Sequence, residues 1–138
     1  MIKQSEEMTS NQKSQKATFA DSKETYQTSL MSLFSGKPED TETDISKTFT
    51  PTATLRDEDT TLDFPGLIEH FAFLQKILSR VTLNVEQFIC DGSQAANRHS
   101  PSTTMADGIV KKAETYMFVV LAEDGRIESV VETVRRLN

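Results

Sequence analysis

Arg98 and His99 stand side by side in the stretch AANRHSPST, between two runs that read as β-strands. Alternation sends neighbouring side chains of a strand to opposite faces, so a regular strand delivers one of the two to an interior and the other to its outer side. An inward arginine needs an anionic or carbonyl-bearing partner, because an unpaired buried guanidinium is costly. An inward histidine titrates near neutral pH and suits acid–base work. A one-residue bulge exchanges the two, and Pro101 just downstream is the kind of residue that accompanies one. His70, the other histidine, flanks a Leu67, Leu74 and Leu78 stripe at helical spacing. Two histidines so separated, with no carboxylate at ligand spacing, do not make a metal site, and the sequence holds no glycine-rich phosphate loop, nucleophile elbow or HExxH helix. Neither a metal nor a cofactor is expected.

Size and charge narrow the partners. A chain of 138 residues suits one domain with a real core. A net charge of -6 repels phosphate backbones, so nucleic acid is not an expected partner. The single Cys90 cannot form an internal disulfide and fits a reducing compartment. No apolar run approaches the roughly 18 residues of a membrane span, and the stretch MIKQSEEMTSNQKSQK lacks the apolar core of a signal. A soluble, cytoplasmic protein without a membrane partner is expected.

The elements that must position these residues follow from periodicity. Residues 1–17 are polar and have little to bury, so they read as a flexible tail before a domain over residues 18–138. From Thr18 the residues Phe19, Tyr26, Leu30, Leu33 and Phe34 fall in one sector of a helix that ends at Gly36. The segment KPEDTETDISKTF suits a short helix or turn anchored by Ile45 and Phe49. TPTATLRD then alternates as a strand with Ala53, Leu55 and Asp57 on one face, and the charge-dense RDEDTT after it reads as a solvated loop. Asp63 and Pro65 open a further helix whose stripe is Leu67, Phe71, Leu74 and Leu78. Four strands complete the chain as a meander, which makes the fold class α+β: a curved, antiparallel-type sheet wrapped by about three N-terminal helices.

Asp124-Gly125 reads as a two-residue hairpin turn, which places Met117 opposite Glu132, Val119 opposite Val130 and Phe118 opposite Val131. One face then carries Met117, Val119, Leu121, Val130, Glu132 and Val134, and the other Tyr116, Phe118, Val120, Ile127, Ser129, Val131 and Thr133. Both faces of the strand from Tyr116 to Leu121 are apolar, although a small antiparallel sheet normally leaves one side wet. A homodimer packed through the outer sheet face is the expected cover.

Element order and local sequence resemble the nuclear transport factor 2-like superfamily, in particular its SnoaL-like and ketosteroid isomerase-like branch. The resemblance runs from Phe19 to Leu137 and is carried by YQTSLMSLFSGKPED, FTPTATLRD, FPGLIEHFAFL and VVLAEDGRIESVVETV. It implies a cone-shaped α+β barrel with a pocket between the concave sheet face and the helices, and commonly a homodimer. It also implies a carboxylate base at the position of Asp57, whose pKa would rise beside apolar neighbours. Where the isomerases carry oxyanion donors, this chain has Ser29 and Met117, which argues against steroid isomerisation. The same alignment turns the Met117 face inward, making Glu132 a second pocket carboxylate, with Ala96, Arg98 and Ser100 inward and His99 outward.

The expected function is that of a small-molecule-binding SnoaL-like protein: a cofactor-independent cyclase, isomerase or dehydratase acting by proton transfer on a small hydrophobic or carbonyl-containing molecule. Asp57 would be the base, Arg98 or His99 would polarise the substrate oxygen and Glu132 would assist. Tyr26, His70, Phe71, Met117, Val119, Val130 and Val134 would line the pocket. The alternative is a non-catalytic binding or protein-assembly module of the same fold.

Overall fold

Helix α1 (Lys23–Ser35) begins in a reciprocal cap: the Thr25 N–H donates to the Ser22 hydroxyl at 3.1 Å, and the Ser22 N–H donates to the Thr25 hydroxyl at 3.1 Å. The cap overrides the apolar pattern, so the helix starts five residues later than Thr18, and Phe19 lies ahead of it while still stacking on Tyr26 at 6.1 Å. The computed structural model describes residues 16–137; positions 1–15 of the expected tail lie outside the described residues.

A 3-10 turn, Pro38–Asp40, leads into α2 (Thr41–Thr48), where Ile45 and the following Phe49 are the buried anchors. Strand β1 (Phe49–Asp57) buries Ala53 and Leu55 on one face and turns back through Glu58, in the left-handed region at φ 56°, into β2 (Thr60–Leu62). That short strand takes the place of the expected loop. Asp63 then accepts the Gly66 N–H at 3.0 Å and starts α3 (Phe64–Ile77), with Pro65 in its first turn. Gln75 ties the helices together: its amide donates to the Leu33 carbonyl at 2.7 Å and its oxygen accepts from the Thr41 hydroxyl at 2.7 Å.

The meander is β3 (Leu78–Asp91), β4 (Gln94–Met105), β5 (Val110–Leu121) and β6 (Ile127–Arg136). The six strands lie in the order β2-β1-β6-β5-β4-β3. All neighbours are antiparallel except β1 and β6, which run parallel, so the sheet is mixed and open, with β2 and β3 as its edges. Leu67 and Phe71 of α3, with Tyr26, Leu30 and Leu33 of α1, bury their apolar sides against the concave face. Among the described residues no helix is long and apolar enough to cross a membrane.

The last hairpin keeps the expected pairs Met117–Glu132, Phe118–Val131 and Val119–Val130. Its turn, however, is one residue longer than a two-residue loop. Ala122 N–H donates to the Arg126 carbonyl at 2.7 Å, Gly125 N–H donates to the Ala122 carbonyl at 2.9 Å, and Gly125 takes φ 84°. A bulge at Glu128 absorbs the extra residue, since Val120 pairs with Ser129 but Leu121 with Ile127. The bulge also reverses Ile127, which was expected on the outer face and is instead completely buried.

The chain ahead of α1 docks on this turn through Ala17 N–H to the Asp124 carbonyl at 2.8 Å. A Cβ on Gly125 would stand 2.5 Å from the Ala17 carbonyl oxygen. Gly125→Ala therefore meets both a disfavoured φ and a backbone clash, and is expected to destabilise the fold by about 1–3 kcal/mol. A urea midpoint equal to that of the wild type would overturn this account.

Candidate functional site

Strand pairing arranges the concave side chains in rows across the sheet. The deepest is Leu55–Val130–Val119–Ala95, all buried hydrocarbon. The next is Asp57–Glu132–Met117–Asn97–Phe88, and beyond it lies Val134–Thr115–His99–Val85. The sheet interior thus changes from apolar to polar in one step along the strands.

Arg98 and His99 are oriented opposite to the register that the family resemblance implied. β4 pairs with β5 without a shift, so Asn97 lies opposite Met117 and His99 opposite Thr115, on the inward side. Asn97 and His99 are each 6 % exposed. Ala96, Arg98 and Ser100 face out. Arg98 pairs there with Glu114 at 2.8 Å and donates to Gln87 at 3.0 Å, which removes it from the interior. The irregularity anticipated beside Pro101 occurs instead in the neighbouring strand: Glu86 is the bulged residue of β3, and Gln27 of α1 accepts the Val85 N–H beside it at 2.8 Å.

Three buried polar side chains form a directional chain. Asn97 Nδ2 donates to the Tyr26 hydroxyl at 2.8 Å, and Asn97 Oδ1 lies 2.8 Å from His99 Nδ1. Because that amide oxygen can only accept, His99 must carry its proton on Nδ1, which makes Nε2 an acceptor. Burial pushes the His99 pKa down to about 4, so the ring is neutral at physiological pH. The Tyr26 hydroxyl also lies 4.0 Å from Met117 Sδ, and burial raises its pKa strongly. Asn97 and Thr115 are the residues that reading the sequence missed. Their signal was alternation with His99 and Met117, once the strand pairing is known.

The two carboxylates singled out in the sequence meet. Asp57 and Glu132 are register partners on the parallel strands β1 and β6. Burial, and then the negative charge of Asp57, push the Glu132 pKa up to about 7. His70 faces the same acid from α3; partial burial lowers its pKa and the charge of Asp57 opposes that. Among the described residues no three His, Cys, Asp or Glu side chains converge as metal ligands would. Of the expected pocket-lining residues, Tyr26, Phe71, Met117, Val119 and Val130 are buried in the core. Val134 is half-buried and lines an open groove of about 410 Å³ at the wide end of the concave face.

No family model and no curated protein matches the sequence. Solved structures do match in shape. An NTF2-like protein of unknown function from an Exiguobacterium species superposes with a TM-score of 0.63 at 14% identity, over 80% of this chain and 97% of that one. A protein with a ketosteroid isomerase-like fold from Catenulispora acidiphila, in complex with trimethylamine, gives 0.60 at 12% identity over 76% and 81%. A provisionally named SnoaL-like polyketide cyclase from a Jannaschia species gives 0.56 at 14% identity over 78% and 83%. At these identities the likeness establishes the fold.

Glu132 supplies a check on the site's electrostatics. With its folded pKa raised from 4.5 to about 7, its contribution to stability is complete below the unfolded value and is lost as pH rises through the folded one. Glu132→Gln escapes that loss. Relative to the wild type, the variant should therefore gain on the order of 2 kcal/mol between about pH 4.5 and pH 8. Chemical denaturation across this range measures it, and a pH-independent difference would show that Glu132 is not held in a desolvated place beside Asp57.

Proposed function

We propose that this chain, which has the nuclear transport factor 2-like fold, is a cofactor-independent enzyme of SnoaL-like type that moves a proton on a small carbonyl-containing molecule. The observation that carries the reading is the pairing of Asp57 with Glu132. Burial, reinforced by the negative charge of Asp57 beside it, lets Glu132 keep its proton up to about pH 7. Asp57 then acts as the base that removes a proton α to the carbonyl. Glu132 donates its proton to the carbonyl oxygen as the enol forms. In a substrate with a β,γ double bond, Asp57 then delivers its proton to the far carbon of the dienol while Glu132 takes back the hydroxyl proton, which completes an isomerisation. Neutral His99 enters as a hydrogen-bond acceptor for a substrate hydroxyl rather than as a cation polarising a carbonyl. Arg98 takes no part in the chemistry.

The same reading includes a homodimer. Phe118 and Ile89 are 68 % and 69 % exposed on the outer sheet face, with Val120 and Val131 beside them. The edge of this patch carries both signs of charge, Arg98 and Arg135 flanking Glu114. An apolar centre with a rim of both signs is complementary to its own two-fold copy, which suits a second copy of the chain as the occupant.

Two experiments follow. On a panel of polyketide and terpenoid ketones, wild-type kcat/KM should fall as pH rises through about 7. Asp57→Asn should lose activity by roughly 10²- to 10⁴-fold, and Glu132→Gln should lose both activity and the alkaline limb. Equal turnover by the wild type and Asp57→Asn would remove the acid pair from the mechanism. Light scattering should give twice the chain mass for the wild type and the chain mass for Phe118→Glu; a monomeric wild type would refute the dimer.

A further inference from the structure

The groove at the wide end of the concave face has an apolar floor and a cationic rim. Its floor is Pro101, Ala113 and Val134, with Ile109 at one side. Alternation along β4, β5 and β6 places Pro101, Ala113 and Val134 on the same face as His99, Thr115 and Glu132, further along the strands. Lys111 and Arg136 stand at its outer end, both exposed. Among the described residues neither has a carboxylate within ion-pair distance, whereas Arg98, Arg126 and Arg135 each have one. In a chain of net charge -6, two cations with no carboxylate partner among the described residues, at one end of an apolar trough, make a local field opposite to that of the whole protein.

We propose that this groove binds an amphipathic organic anion, a small molecule whose carboxylate rests on Lys111 and Arg136 and whose apolar body runs over Val134 toward Glu132. The inference rests on the reading of the concave face as a small-molecule site and names the class of molecule that enters it. Polarity sets the direction. Asp57 repels a carboxylate at the inner end, and the cations attract one at the outer end. Length follows from the strand: Arg136 and Glu132 are four residues apart on β6, about 13 Å at roughly 3.3 Å per residue. A volume of about 410 Å³ accommodates a small molecule of that length.

Octanoate and octanamide, alike in length and different in charge, are the probes, titrated calorimetrically into the full chain at low and raised salt. Octanoate should bind roughly tenfold more tightly than octanamide, with the advantage shrinking as salt rises. The double substitution Lys111→Gln with Arg136→Gln, at two exposed positions, should erase the advantage and leave octanamide affinity unchanged. Equal affinity for the two probes, an advantage that survives the double substitution, or no octanoate binding would each overturn the proposal. Glu132→Gln separates it from the catalytic reading: this variant should keep the preference for octanoate whether or not it retains turnover. Ketone turnover by a wild type without that preference would overturn the anion anchor alone.

Discussion

The concave face depends on one amide. Asn97 is buried beside Tyr26, Met117 and His99, and a buried polar atom left without a partner costs about 1–3 kcal/mol. Its two ends resolve that for three side chains together, nitrogen to the Tyr26 hydroxyl and oxygen to His99 Nδ1. Helix α1 is thereby fastened to the sheet through a polar contact inside an apolar interface. Packing brings Tyr26 to the sheet, against Phe88 at 4.9 Å, and the amide then sets its rotation and the histidine tautomer.

Around that chain the sheet is divided along its strands. Toward the narrow end, Leu55, Val119 and Val130 meet Leu67 and Phe71 and leave no room. Toward the wide end, side chains of the same facing on β4 and β5 become half-buried or exposed. Asp57 and Glu132 stand at the boundary. They are desolvated enough for the proton affinity of Glu132 to rise, yet they adjoin the part of the face that remains open. A carboxylate one row deeper would lie in closed hydrocarbon, and one row further out would be solvated.

Much of this was legible from local pattern. Periodicity identified the three helices and the meander, and the hairpin at Gly125 gave the pairing of Met117 with Glu132 even though the turn was a residue longer than supposed. The two errors cancelled because a bulge at Glu128 offset the longer loop, which no local rule signals. The facing of Arg98 and His99 was legible in principle: the hairpin turns Met117 inward, and pairing to β4 carries that facing to Asn97. What was missing was the β4–β5 register, which depends on a four-residue loop and not on composition. β2 was hidden because charged RDEDTT resembles a loop, and the strand owes its existence to pairing with β1. Nor did the sequence announce that β1 and β6 run parallel, since that contact joins the ends of the fold.

That parallel contact orders events in time. Asp57 and Glu132 are 75 positions apart, and the backbone between them includes every strand but two and the whole of α3. Contacts of such separation form late, after the loop entropy has been met by the nearer hairpins. During synthesis the first acid emerges well before its neighbour, so a nascent chain carries an ordinary, solvated aspartate in a half-built wall. The two acids become neighbours only when the final strand docks, so the raised proton affinity of Glu132 is a property of the completed fold alone.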